Sequence, residues 1–399
     1  MHWRSLFPIV VSASYLAACQ APVETEELPD DEEVASTEQA ICDHDDLDVE
    51  ASVFAQVDPP IPGGIAAGKK VVFYGSPLDG RVVVLSRDTG SVIAELPQPP
   101  GNFILPLVMH EIEENRLAVL DTGGFPDPGI TDAQPTIYEY EYSYSNGNFQ
   151  ASLARTVSFA GKKIGYAEEF VYLGNGKYLV PDAVYGSIWQ VKQNGSVIPG
   201  IVPKTFNAAD AIPEMVYCTT MPQVTVGGLP FLFTGSTIPG VAGIAKRNNK
   251  VYFYSSCAKS LFKFPYSILN DNRQPWQRAQ DIDLIASAEP GVEVEEILEM
   301  QFNPYDPSDK YLYATDALQL RVIRIDPQDG EREILADDPD LFSFPSGLAF
   351  LPPKHNHDRK TKFLVMSNQQ HRDPILNSAL NGVDYTEIPY TIAKVVVDD

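Results

Sequence analysis

One phrase recurs along this chain and restricts it to a repeat architecture. Lys310-Tyr-Leu-Tyr-Ala-Thr-Asp-Ala-Leu-Gln-Leu-Arg-Val-Ile-Arg-Ile-Asp-Pro-Gln-Asp-Gly330 carries two runs rich in β-branched and aromatic residues, Tyr311 to Thr315 and Val322 to Ile325, around a break that starts at Asp316. Such residues fit a pleated surface, and the closing Asp-Pro-x-Asp-Gly supplies a turn, so the phrase predicts a hairpin. Lys177-Tyr-Leu-Val-Pro-Asp182 repeats it, with Ile188-Trp-Gln-Val191 starting six positions after the Asp, as Val322 does after Asp316. Further copies end their first strand at Ser76, Asp121, Ser255 and Ser367. The six positions stand 45 to 73 residues apart. Four short strands with their turns need roughly 40 to 50 residues, so each interval holds one small sheet, some with insertions. The expected fold class is all-β, a six-bladed β-propeller.

A short apolar run precedes each copy and should be the innermost strand of its blade: Gly64 to Ala67, Leu107 to Met109, Phe170 to Leu173, Val241 to Ile244, Met300 to Phe302 and Gly347 to Phe350. Small residues are frequent in these runs, as crowding around a central axis requires. An array of immunoglobulin-like sandwiches would need several separate cores and a Cys and Trp spacing that this chain lacks.

The N-terminus reads as an address. Residues 1–18 form a lipoprotein signal peptide: Arg4 supplies the positive start, Leu6 to Leu16 is apolar but too short to span a bilayer, and Leu16-Ala-Ala-Cys19 ends it with small residues before a cysteine. Cys19 is the expected lipidation site, and Gln20 behind it favours the outer membrane of a bacterial cell envelope over the inner one. Residues 19–50 then form an acidic, disordered tether, because Gln20 to Glu50 holds thirteen Asp and Glu and no Lys or Arg. Residues 51–399 make the propeller. The chain's formal charge is −25; setting aside the tether's −13 and the +1 of Arg4 leaves −13 on that body. A net acidic surface without a basic stripe excludes nucleic acid and anionic headgroups as expected partners. The remaining expectation is a monomer that meets a small molecule and touches the membrane only through its lipid.

Four stretches resemble a known family. Glu114-Asn-Arg-Leu-Ala-Val-Leu-Asp-Thr-Gly123 is similar to a strand phrase of the yellow/major royal jelly proteins, with Ala118 where the family has Trp. Val251-Tyr-Phe-Tyr-Ser-Ser-Cys-Ala-Lys-Ser-Leu-Phe-Lys-Phe-Pro-Tyr-Ser-Ile-Leu269, Phe344-Pro-Ser-Gly-Leu-Ala-Phe350 and Phe363 to His371 resemble later blades of that family in the same order. The resemblance implies a six-bladed propeller with an axial pocket for a small aromatic or amphipathic ligand. Gluconolactonase and regucalcin-type lactonases are more distantly similar, and they place oxygen ligands for Ca²⁺ at the starts of inner strands. Here Ser346 stands where their Asn would be, and no Pro-Asp-Gly occurs at an inner strand.

That comparison makes Glu168, Glu169, Glu296, Glu299 and Ser346 the candidate ligand-binding residues, with Ca²⁺ or another divalent cation as the candidate cofactor and Glu295 beside them. Asp121, Asp182 and Asp316 close second strands, where Asp usually accepts N–H groups of its own turn. His355-Asn-His357 with His371 has His-rich spacing but reads as part of a charged loop lacking a pinned third ligand. No serine elbow, phosphate loop, dinucleotide fingerprint or Cys-x-x-Cys pair occurs. Cys218 and Cys257 both fall around the fourth blade and are the disulfide candidates in an exported chain, leaving Cys42 in the tether. The functional expectation is an envelope-anchored propeller that binds a small ligand on its axis. The alternatives are a divalent-metal-dependent lactonase, hydrolase or isomerase of the same fold, and a structural envelope protein.

Overall fold

The computed structural model describes residues 47–58, 61–124, 134–206, 210–215, 223–232, 240–288, 295–354 and 360–398. The stretch read as a signal peptide, Cys19, nearly all of the stretch read as a tether, Cys218, His355 and His357 lie outside the described residues.

Six four-stranded antiparallel sheets follow one another. From the axis outward, blade one is β2 (Ile65–Ala67), β3 (Val71–Ser76), β4 (Arg81–Ser86) and β5 (Val92–Glu95). Blade two is β6 (Pro106–Glu113), β7 (Arg116–Asp121), β8 (Thr136–Ser145) and β9 (Asn148–Ser158). Blade three is β10 (Val171–Tyr172), β11 (Tyr178–Asp182), β12 (Ser187–Val191) and β13 (Val197–Ile201). A small hairpin, β14 (Val224–Val226) with β15 (Leu229–Phe231), precedes blade four, which is β16 (Val241–Arg247), β17 (Lys250–Ser255), β18 (Ser260–Pro265) and β19 (Asp283–Ser287). Blade five is β20 (Ile297–Phe302), β21 (Leu312–Asp316), β22 (Arg321–Ile325) and β23 (Arg332–Ala336). Blade six combines β24 (Pro345–Phe350), β25 (Thr361–Ser367) and β26 (Tyr390–Asp398) with β1 (Asp48–Val57), the first strand of the chain. The ring thus closes through Ala51 opposite Val395 and Val53 opposite Ala393. β1 begins at Asp48, three residues inside the stretch read as tether, because Val49 and Ala51 pack on the apolar layer of blade six.

Apolar layers fill the spaces between blades. Tyr313 of blade five, for instance, meets Phe350 and Phe363 of blade six edge-on, with ring centroids 5.1 and 5.5 Å apart. Inner strands approach one another so closely that a Cβ on Gly64 would stand 2.8 Å from the Leu107 carbonyl oxygen, which is why a side chain is missing there. Among the described residues no helix is long and apolar enough to cross a membrane.

The recurrent Asp residues do more than close their turns. Asp121 accepts from the backbone N–H groups of Ile104 and Leu105 at 2.7 and 2.8 Å as well as from Gly123. Asp182 accepts from Gly165, Tyr166 and Val184, each at 3.1 Å. Asp316 holds the Glu296 N–H and the Arg321 guanidinium. Each carboxylate ties the segment leading into an inner strand to the end of its neighbour, which fixes where that inner strand starts. Their role is structural.

Candidate functional site

All six inner strands run from one face of the disc, here called upper, to the other. Their lower halves enclose a cavity of about 440 Å³ lined by residues of every blade, among them Ala67, His110, Phe170, Ile244, Gln301 and Phe350. Phe170, Met300, Phe302 and Phe350 make its walls largely apolar.

At its floor, polar groups interrupt runs that are otherwise apolar. His110 extends from β6, Glu169 stands two residues before β10, and Glu299 and Gln301 belong to β20. One ligand atom from each of His110, Glu169 and Glu299 lies within 4.8 Å of the other two, the sole such trio among the described residues. His110 Nε2 stands 2.8 Å from Glu169 Oε1, and the Phe170 N–H donates to that same oxygen at 2.7 Å. Gln301 Nε2 lies 3.1 Å from His110 Nδ1, 2.6 Å from Glu299 Oε1 and 2.9 Å from the Leu348 carbonyl. The two hydrogens of this amide are directed at Glu299 and the Leu348 carbonyl, the two shorter contacts, with His110 Nδ1 alongside. The Leu348 N–H donates to Glu299 Oε2 at 2.8 Å, and the His110 ring stands edge-on to Phe170 at 4.7 Å. Every member of the trio is therefore oriented by a second group.

Burial pushes the Glu299 carboxyl well above its ordinary range, and the charge of Glu169 adds to this, while the Leu348 N–H and Gln301 pull the other way. A cation between the two carboxylates would reverse the balance by giving the ionised form a partner. Two carboxylates and an imidazole at these spacings suit a divalent ion, for which metal–ligand distances of ~2.0–2.5 Å place neighbouring ligands ~3–4.5 Å apart.

The sequence candidates divide between two levels of the axis. Glu169 and Glu299 lie against His110 and Gln301, just behind the cavity floor. Glu296 is fully buried toward the upper face with both oxygens lacking a hydrogen-bond partner, and Glu168 has one such oxygen. Burial and then the charge of Glu169 push Glu168 up to about 8; burial, then Glu168, then Asp316 raise Glu296 well above the usual range. Ser346 Oγ is likewise buried without a partner. Glu295 is taken up by an ion pair with Arg332 at 2.8 Å. His110 and Gln301 were missed by sequence reasoning; the signal was a polar residue inside or beside an inner-strand run, where only apolar or small residues are expected.

His371 is fully buried, stacked on Phe344 with ring centroids 5.9 Å apart, and burial, reinforced by Arg372, lowers it to about 4. It is a packed ring. Cys257 is disulfide-bonded.

No protein-family model matches the chain, and no curated protein sequence does. Solved structures are similar in fold. The PQQ-bound aldose sugar dehydrogenase of Streptomyces coelicolor superposes with a TM-score of 0.50 at 11% identity, over 88% of this chain and 99% of that one. The gluconolactonase XC5397 of Xanthomonas campestris gives 0.49 at 11%, over 88% and 90%, and the calcium-binding regucalcin of Agrobacterium tumefaciens 0.48 at 12%, over 86% and 95%. At such identity the likeness speaks for the fold alone, and the chain is a six-bladed β-propeller.

Proposed function

We propose that this protein is an enzyme, a divalent-cation-dependent hydrolase or isomerase acting on a small molecule bound in the lower axial cavity. The observation that carries this reading is the trio His110, Glu169 and Glu299, of which His110 lines a cavity large enough for a substrate and the two carboxylates lie behind it. The three side chains would hold the ion through imidazole nitrogen and carboxylate oxygens, a mixed donor set that favours Zn²⁺ or Mn²⁺ over Ca²⁺. When bound, such an ion polarises a carbonyl and acidifies coordinated water, the chemistry that opens a lactone or ester. Gln301 fixes His110 and Glu299 relative to each other, Leu348 anchors Glu299 through its backbone, and Phe170, Met300 and Phe302 keep bulk water away from the reacting atoms. Metal analysis of the purified soluble body tests the reading: one equivalent of a divalent metal is expected, with affinity falling by about 10- to 100-fold in Gln301→Leu and further in Glu299→Gln. Hydrolysis of a lactone and aryl-ester panel should fall in parallel. Retention of full metal content by Glu299→Gln would end the proposal.

A second reading, a binder of aromatic or amphipathic ligands like that implied by the yellow/major royal jelly likeness, is favoured by the apolar walls around Phe302 and Phe350. It predicts stabilisation by such ligands in metal-free protein and no turnover.

The envelope address is part of the proposal. Cys19→Ser should release the protein from membranes into the soluble fraction, since the signal peptide leaves no other attachment behind. A variant that still sediments with membranes after a high-salt wash would contradict lipidation at Cys19.

A further inference from the structure

In a chain of formal charge −25, cations gather on one side of the cavity mouth. Strand direction places the turns that carry Lys177, Lys192, Lys246, Arg247 and Lys250, all from blades three and four, on the lower face. Lys246 and Arg247 line the cavity itself. None of the five makes an ion pair with a carboxylate among the described residues. Arg247 donates to the carbonyl oxygens of Asp309 and Pro307 and lies 5.2 Å from the Phe302 ring, so it is held in place, with Asp306 as a nearby but unbonded counter-charge. Lys192 donates only to the amide oxygens of Gln190 and Asn270, at 3.1 and 3.2 Å. Lys246 is half-buried, its ammonium 5.4 Å from the centroid of Tyr266. Burial and then the charge of Lys177 disfavour the protonated form of Lys246, which is the signature of a cation waiting for a counter-charge.

The cavity is therefore polarised. Its floor is formed by His110 and Gln301 with the acids Glu169 and Glu299 behind them, its middle is apolar, and its mouth is cationic on the blade-four side, with Glu111 on the blade-two side. We propose that the ligand is a small amphipathic organic anion: a carboxylate or phosphate group meets Lys246 and Arg247 at the mouth, an apolar portion lies along Phe302 and Met300, and the uncharged end reaches the floor. A cationic ligand would meet repulsion at the mouth, and a neutral one would leave Lys246 unpaired in a low-dielectric wall. The positive charges at this rim also steer an anionic ligand inward. This deepens the reading of the lower cavity as the working site and rests on it for the identity of the cavity, but it does not require the metal.

The test uses 4-phenylbutyrate, phenyl phosphate and the neutral 4-phenylbutyramide as probes in titration calorimetry on the metal-free soluble body. At least one of the two anions should bind about tenfold or more tighter than the amide, and which one does so separates carboxylate from phosphate chemistry. That preference should disappear in Lys246→Gln, return in Lys246→Arg, and weaken as salt rises from about 20 to about 500 mM. Lys246 is half-exposed at a strand end, so the variant should fold; an unchanged melting temperature checks this. Equal binding of anion and amide, an unaltered anion affinity in Lys246→Gln, or no binding of any probe overturns the proposal. Metal content measured on the same Lys246→Gln sample should equal wild type, so a failure of the cation reading registers separately.

Discussion

A chain that stops at Ile392 should lose the cooperative stability of the whole ring. Deleting residues 393–399 removes most of β26, which pairs on one side with β1, Ala393 opposite Val53 and Val397 opposite Val49, and on the other with β25, Ala393 opposite Val365 and Val395 opposite Phe363. Ala393, Val395 and Val397 are buried in the layer between blades five and six. Burial of each valine contributes about 1.5–3 kcal/mol. β1 would keep only its pairs from Ala55 to Val57, leaving the rest of the strand an unpaired edge. The sum is on the order of 5 kcal/mol or more, comparable to the total stability of an ordinary domain. Urea unfolding followed by Trp fluorescence is the measurement. A truncated protein that unfolds cooperatively within about 1 kcal/mol of the full chain would show that the clasp is dispensable. Should the truncation fail to accumulate, Val395→Ala offers a milder version, expected to cost about 1–3 kcal/mol through the cavity it leaves.

The second large effect belongs to the buried acids above the cavity. Glu296 is fully buried with neither oxygen partnered, and its proton affinity is raised well above the ordinary value of 4.5 by burial, Glu168 and Asp316. Asp316 is raised from 3.8 to about 7, chiefly by burial, with Arg321 opposing. For both groups the native state binds a proton more tightly than the unfolded chain does. Stability is therefore greatest below the unfolded values, falls as pH rises through the window above about 4, and levels off once the folded group has ionised. For Asp316 the loss is complete near pH 7; for Glu296 it extends well above the group's ordinary value. Glu296→Gln keeps the shape and removes the titration. It should match wild type near pH 4.5 and exceed it by about 2 kcal/mol or more at pH 9, with a flatter profile of melting temperature against pH. If Glu296→Gln is instead less stable than wild type at pH 9, the carboxylate is ionised and compensated in the folded protein.

The number of blades and the order of strands were legible in the sequence because hairpins are local. Strand–break–strand phrases such as Tyr311 to Ile325 encode each pairing within about 15 residues, and the alternation of β-branched and polar residues sets their register. The closure of the ring was legible in the same way: Ala51 to Val57 and Ile392 to Val397 are apolar runs that each needed a partner, and they pair with each other. Glu169 and Glu299 could be named as candidates from their place at the starts of inner strands. What chain order could not convey is which of the axial groups share a level. His110 and Gln301 are 191 positions apart and come within 3.1 Å only because six inner strands converge on one axis. Glu168 and Glu169 are neighbours in sequence, yet one contributes to the upper axis and the other to the trio behind the cavity floor, since consecutive residues of an extended chain point to opposite sides. Local pairing is written in the order of residues; the meeting of distant polar groups follows from how the blades tilt and pack, which no single stretch of the chain contains.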